Sequence, residues 1–478
     1  MRTLSCAFVI TGARAPVLAS QEIAIDGETI ASVRPSSAPS SDLLAMPALV
    51  NAHDHGRAAR LSSIGSGGKP LETWLNYLAL FPSVDPYLAA VVSLSNSALG
   101  GVGTVMMHYT RAQGFTDLPT EVAQVARAAR DVGVRVGFAV SMKDRNQLVY
   151  GPSEPVLAAL PPAARAEIEK KFIRAPPSPA DYIALADAVA DAAGNDKFEV
   201  QYGPNGVQWC TPALLEAVSG ASQRTGRRIH MHLLETRYQR QWLDQAYPDG
   251  ALKYLDSIGF LSPRLTLAHC VWARPDEIEL LAERGVTVAS NHSSNLHLHS
   301  GVAPIATMLG KRLRVALGID GMALDEDDDA LREMRVVRLL QGGTGFEVKI
   351  APRDVLQMAF GNGHLGVMNK AHDGCLAAGG PADMLLLDWS RIDHEKLRAD
   401  LDPIEMLLGR ATADHIDELI VGGRTVVKAG KIAGADYESA RREVLAQMRA
   451  GMAEDTFATA LTALDRVIEQ HYHTAPCC

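Results

Sequence analysis

Eight apolar runs of strand length, alternating with amphipathic helical stretches, constrain this 478-residue chain more than any other feature. They span residues 48–52, 103–108, 135–140, 198–202, 228–233, 264–269, 286–290 and 314–319. Strands that are apolar on both faces and separated by helices pair in parallel and are covered on both sides. Eight of them predict an α/β fold, a (β/α)8 TIM barrel with insertions. A doubly wound open sheet is the alternative, but it usually brings a Gly-rich phosphate loop, and none is present.

The flanks have a different texture. Residues 1–45 read as short strands with turn signals such as Asp26-Gly27. Residues 381–388 and 418–427 read as strands separated by a helical stretch. The two β-rich ends are expected to pair into a small β-sandwich, a composite unit of 1–45 and 376–436 beside a barrel over 46–375. A helical tail over 437–478 follows, with Leu445, Met448, Met452 and Phe457 near helical spacing. That stripe suits packing or subunit contact, and so a homo-oligomer, rather than chemistry.

Composition narrows the function classes. A formal net charge of −9 without a basic stripe argues against a nucleic-acid partner. No apolar stretch reaches the roughly 18 residues of a membrane span. Six scattered cysteines without a CxxC suit unpaired thiols in a reducing cytoplasm. The first residues superficially resemble a signal peptide, but Thr11-Gly12 breaks the run, so a first strand is expected. Asp325 to Asp329 reads as a solvated helix start, and Cys477-Cys478 as a frayed tail.

The polar residues at the strand ends carry the chemistry. His53 and His55 lie on one side of an extended strand and can aim two imidazoles at one cation. In a barrel, chemistry gathers at the C-terminal strand ends. His53 and His55 end the first strand and His108 the second. His230 and His232 lie on the fifth, with Glu235 three residues on; His269 ends the sixth and Asp320 the eighth. Histidines placed at random would not collect at one rim.

With these residues in place the chain resembles the amidohydrolase superfamily, within it the group of cytosine deaminases, S-adenosylhomocysteine/guanine deaminases and chlorotriazine hydrolases. The likeness runs through Pro47-Ala-Leu-Val-Asn-Ala-His-Asp-His, Leu71-Glu-Thr-Trp-Leu, Cys210-Thr-Pro-Ala-Leu-Leu, His230-Met-His-Leu-Leu-Glu-Thr, Ser294-Asn-Leu-His-Leu-His-Ser-Gly, Gly318-Ile-Asp-Gly and Gly380-Pro-Ala-Asp. It implies that His53, His55, His232 and Asp320 ligate one divalent metal, zinc first, with Fe2+ or Mn2+ as alternatives. It implies that Glu235 shuttles protons and that His269 orients water or polarises the substrate, although this position binds metal in some relatives. Three nitrogens and one carboxylate leave an open position for water, as catalytic sites do. Asp320 can accept the water's proton, and Glu235 can protonate a ring nitrogen or leaving group. Binuclear relatives bridge two metals with a carboxylated lysine at the end of the fourth strand. Here Gln201-Tyr-Gly-Pro-Asn stands there, so one metal is expected; Lys143 reads as solvated or substrate-facing.

Departures bear on the substrate. Asn205 stands where many deaminases of the group carry histidine, Ser290-Asn-His-Ser-Ser-Asn replaces a common His-Asn-Pro-x-Ser-Asn, and Arg57 directly follows His-Asp-His-Gly. These changes set ordinary adenine-type and guanine-type substrates in question. Arg57, Arg111 and Arg237 lie just past strand ends and could meet an anionic group. Trp74 and Trp209 could wall a ring, His292 could line the pocket, and His108 could line it or support the ligands, whereas His230 reads as a core histidine. The leading expectation is a metal-dependent hydrolase acting on a C–N carbon of a small, anionic, cyclic substrate, most simply a deaminase. Hydrolysis of an amide, urea, carbamate or (thio)hydantoin, loss of chloride or sulfide, and a non-catalytic scaffold are the alternatives.

Overall fold

The computed structural model describes residues 1–36, 41–321, 326–370, 374–453 and 457–474. The chain opens with β1 (Arg2–Ile10), β2 (Val17–Asp26), β3 (Thr29–Pro35) and β4 (Leu43–Pro47). The barrel follows as β5 (Leu49–Asp54), β6 (Val102–Tyr109), β7 (Arg135–Met142), β8 (Phe198–Pro204), β9 (Ile229–Leu233), β10 (Leu265–His269), β11 (Thr287–Ser290) and β12 (Arg314–Leu317). Every expected barrel strand forms. Each is hydrogen-bonded in parallel to its successor. Their side chains are buried almost throughout, which is why they read as continuous apolar runs rather than alternating ones.

Two seams of the barrel are thinly laddered. Between β8 and β9 the register is the pair Tyr202–Ile229, with Gly206 bridging to His232 beyond it. Among the described residues the ring closes between β12 and β5 through strand-end bonds. Asp320 N–H donates to the His53 carbonyl at 2.8 Å, and Ile319 N–H to Asn51 Oδ1 at 2.9 Å. Gly318 permits this closure, because a side chain there would collide with Asn291 Oδ1 and crowd His53 Cβ.

After a short hairpin of β13 (Gly343–Thr344) and β14 (Glu347–Val348), the chain returns to the terminal sheet as β15 (Met384–Asp388), β16 (Ile416–Val421), β17 (Arg424–Lys428) and β18 (Lys431–Ile432). Both chain ends join one eight-stranded sheet, ordered β18-β17-β16-β15-β4-β1-β2-β3. Period-two patterning buries both faces. Cys6, Val9, Ala45, Met384, Leu386 and Ile420 form a core of their own, whereas Ile10, Leu44, Leu385, Leu387 and Leu419 join the barrel's core.

The tail forms two helices, Tyr437–Ala453 and Ala458–Thr474. Of the expected stripe Met448 and Phe457 are buried and Leu445 is half-buried, whereas Met452 is exposed; Ala440 and Val444 extend the buried face. The acidic run does start a helix: Asp329 caps Ala330–Gln341 by accepting from Arg332 N–H. It is not solvated, however, because Asp329 is 1% exposed and also accepts from Ala413 N–H. Asp325 and Cys477-Cys478 lie outside the described residues. Among the described residues no helix is long and apolar enough to cross a membrane.

Candidate metal site and cavity

The His-Asp-His turn is shaped by its middle residue. Asp54 accepts from the N–H groups of His55 (2.7 Å) and Gly56 (2.8 Å) through Oδ1 and from Asn51 Nδ2 (2.7 Å) through Oδ2. This turns His55 back over the strand end beside His53. His55 Nδ1 lies 2.8 Å from the His108 carbonyl, and His232 Nδ1 lies 2.7 Å from the Asn205 carbonyl. A carbonyl can only accept, so both Nδ1 atoms carry the proton and both Nε2 atoms present lone pairs. These lone-pair nitrogens approach to 3.3 Å, with no proton to share between them.

Asp320 Oδ1 completes the cluster, 3.0 Å from His53 Nε2 and 3.1 Å from His55 Nε2. A tetrahedral ion with bonds of about 2.0–2.1 Å has ligand–ligand edges of about 3.3 Å. The spacing of 3.0–3.3 Å therefore fits a cation. His53 Nε2 and Asp320 Oδ1 are buried and hydrogen-bonded to nothing else, which points the same way. His53, His55 and Asp320 form one potential ligand group, and His53, His232 and His269 another.

The protonation states suit such a site. Burial pushes the His53 imidazole down to about 3, only partly opposed by Asp320. Burial likewise holds His232 well below the ordinary histidine value, so both rings are neutral ligands. Burial alone would raise Asp320, but His53 and His55 beside it hold its carboxyl well below the usual range. Ser294 Oγ donates to its other oxygen at 2.6 Å. Glu235 is the opposite case. Burial first, then the charges of Asp320 and Glu72, push its carboxyl well above the usual value. Two nearby carboxyls driven apart in this way are set for base and acid roles.

Glu235 directly precedes the Thr236 cap of helix Arg237–Ala246, and its N–H donates to Gln239 Oε1 at 2.8 Å. Its Oε2 lies 3.6 Å from His269 Nε2, whose ring is turned by Asn295 Oδ1, 2.9 Å from Nδ1. His269 (φ +75) and Asp320 (φ +66) occupy left-handed backbone, uncommon for residues other than glycine and frequent at functional sites.

The cluster opens into a cavity of about 750 Å³ lined by His55, His232, Glu235, His269 and Asp320. Of the expected substrate contacts, Arg57, Trp74, Arg111 and Trp209 line it. Arg57 lies over the Trp74 ring at 5.1 Å and donates to the Asp320 carbonyl at 3.2 Å. Arg111 is held by the Phe81 carbonyl.

Three of the expected substrate contacts do not line the cavity. Arg237 is exposed, stacked on Tyr238 at 4.7 Å, because the helix it begins points it outward. His292 is buried behind the wall near Ser290, 3.4 Å from its hydroxyl. His108 supports rather than lines: it is fully buried, its carbonyl orients His55, and its Nε2 lies 3.1 Å from the Gly203 carbonyl. His230 is more than a core residue, since its Nε2 lies 2.8 Å from His53 Nδ1.

Sequence reasoning missed Asn51, Ser294 and Asn295, although all three stand inside the motifs quoted above. It also missed a buried network in which Glu72 Oε1 accepts from Thr236 Oγ1 (2.5 Å) and Tyr150 Oη (3.1 Å). Glu72 stands inside the Leu71-Glu-Thr-Trp-Leu motif, but Tyr150 does not, and no spacing in the chain links the two.

Known proteins resemble this chain in sequence and in fold. A 5-methylthioadenosine/S-adenosylhomocysteine deaminase of Nitratidesulfovibrio vulgaris is 31% identical over 404 residues, covering 84% of this chain and 83% of that protein. A 5'-deoxyadenosine deaminase of Methanothermobacter thermautotrophicus is 29% identical over 393 residues, covering 81% and 83%. Among solved structures, atrazine chlorohydrolase from Arthrobacter aurescens, complexed with zinc, superposes with a TM-score of 0.77 at 22% identity, over 94% of this chain and all of that one. An adenosine deaminase from Xanthomonas campestris with bound zinc gives 0.76 at 20% identity, over 94% and 98%. These two likenesses establish the barrel and its companion sheet. The model of the amidohydrolase family matches residues 44–426, from β4 to β17, so this chain, with its rim of histidines and paired carboxyls, belongs to the amidohydrolase family of hydrolases.

Proposed function

We propose that the protein is a cytoplasmic, mononuclear metal-dependent deaminase of a small cyclic substrate bearing an anionic group. The observation that carries this reading is the convergence of His55 Nε2, His232 Nε2 and Asp320 Oδ1 beside Glu235, whose carboxyl burial pushes well above its usual value. His53, His55, His232 and Asp320 would hold one divalent ion, zinc by the nature of the donors. Bound there, the ion supplies Lewis acidity and acidifies a water.

The chain's own groups then divide the proton work. As the water oxygen forms its bond to the amidine-like carbon, the Asp320 carboxylate takes its proton. Glu235 gives its proton to the ring nitrogen; the second water proton then passes to Glu235 as the carbonyl forms, Asp320 hands its proton to the leaving nitrogen, and the C–N bond breaks with loss of ammonia. His269, turned by Asn295, orients the reacting oxygen or the substrate. His230 fixes the ring of His53 as the two carbonyls fix His55 and His232. His230→Gln is therefore expected to weaken zinc binding about 10–100-fold, read by competition with a chelator dye. Unchanged affinity would remove His230 from the site.

The anionic group follows from charge. Arg57, Lys143, Lys171 and Arg174 line the cavity. Lys143 is open to the cavity yet enclosed by its walls, and that burial lowers its ammonium pKa. Asp144, also on the wall, is engaged by Thr211 through both oxygens at 2.6 Å. Arg57→Met should cut kcat/KM for a carboxylate-bearing substrate about 10–100-fold more than for its neutral analogue. Equal losses on both would mean that Arg57 meets no anion.

The test of the whole reading is a screen of zinc-loaded protein against amino-heterocycles with and without a carboxylate, reading released ammonia. Ammonia release is expected. Release of chloride or sulfide, or ring opening of a cyclic amide without ammonia, would replace deamination by those reactions.

A further inference from the structure

A cavity of about 750 Å³ is of the size that encloses a drug-sized ligand, more than one ring beside the metal cluster requires. Part of its far wall comes from an unexpected source, the C-terminal helix Ala458–Thr474, which contributes Tyr472. The helix is firmly seated. Leu461, Leu464 and Ile468 are buried against the segment between β7 and β8, in one cluster with Leu157 and Ile168. Asp465 accepts from Lys69 Nζ at 2.9 Å and from Tyr77 Oη at 2.8 Å.

Tyr472 itself is constrained on three sides. Its hydroxyl accepts from Tyr150 N–H at 3.0 Å, and its ring lies 4.6 Å from Tyr238 and 5.7 Å, edge-on, from Tyr150. Tyr150 is in turn edge-on to Trp209 at 5.8 Å. Three cavity-lining rings thus run in series from the C-terminal helix towards the strand ends. With its hydroxyl turned to the Tyr150 backbone, the ring is what Tyr472 has to offer a ligand.

We infer that the C-terminal helix is part of the substrate site and that the Tyr472 ring is a specificity-determining wall for an apolar or flat substituent on the ring undergoing hydrolysis. The inference rests on the deaminase reading for the reacting end of the substrate. Packing against an aromatic face rewards apolar area and stacking, so an arm-bearing substrate gains over the bare ring.

Matched substrate pairs test it on the full-length, zinc-loaded protein: a carboxylate-bearing aminotriazine with and without an N-butyl arm, and the same pair without the carboxylate. Turnover is read as ammonia and binding by calorimetry, in wild type and in Tyr472→Phe, Tyr472→Trp and Tyr472→Ala. The wild type should favour the arm-bearing member. That preference should survive within about threefold in Tyr472→Phe, which keeps the ring, and fall about tenfold or more in Tyr472→Ala. Tyr472→Trp keeps aromatic packing, so it tests the wall even if the alanine variant does not fold; its larger ring should lower the preference about tenfold.

Equal preference in all four proteins, or a phenylalanine variant that behaves like alanine, overturns the wall. If ammonia is released without a Tyr472-dependent preference, the wall falls and deamination stands. If arm-bearing ligands bind with that preference but release no ammonia, the wall stands and deamination falls. If nothing binds or reacts, both fall.

Discussion

Glu235→Gln is expected to lower kcat by about 10²–10⁴-fold while zinc content stays at the wild-type level. The amide keeps the size of the side chain but cannot deliver a proton, and Glu235 lies outside both potential ligand groups. The carboxyl is 2% exposed, and burial with the charges of Asp320 and Glu72 raises its pKa. An acid must be protonated to act, so kcat should fall as pH rises through this raised value. A bound divalent cation draws the value back towards the ordinary carboxylate range. The pH-rate profile of the zinc-loaded enzyme should therefore lose its Glu235 limb in the variant. Metal content by atomic emission and a profile across the neutral range decide the matter. A variant that turns over normally would remove Glu235 from the reaction, and one that loses zinc would make it a ligand.

Asp320→Asn should abolish tight zinc binding and, with it, activity. Asp320 Oδ1 sits against His53 and His55 and is the one carboxylate oxygen in the two potential ligand groups among the described residues. The amide removes a unit of negative charge where a dication would rest. An ion at a hundredfold excess over its Kd stabilises the fold by about 2.7 kcal/mol. Chelation should accordingly lower the wild-type Tm and leave that of Asp320→Asn unmoved. If the variant keeps one zinc per chain and the same chelator response, Asp320 is not a ligand.

The barrel was legible because a strand buried on both faces must be apolar along its length, and eight such runs stood between amphipathic helices. The ligand candidates were legible because β5, β9, β10 and β12 all deliver their last residues to one rim. What lay outside that logic was missed. Arg57 and Arg237 both follow a strand end within four residues, yet the helix cap at Thr236 turns Arg237 outward while the Asp54 turn leaves Arg57 against Trp74. His292 followed a motif position but lies behind the wall. Glu72 and Tyr150 meet across 78 residues of chain, which no local pattern records.

Sequence by itself therefore determined the strand count, the parallel order, the pairing of the two chain ends and the identity of the rim residues. Each of these follows from patterning that acts over a few residues. Only the tertiary structure decided which rim residues face the cavity, which carbonyls set the tautomers of His55 and His232, and that Tyr472 reaches the site at all. Those outcomes depend on contacts between segments far apart in the chain, where packing, not local propensity, chooses the neighbour.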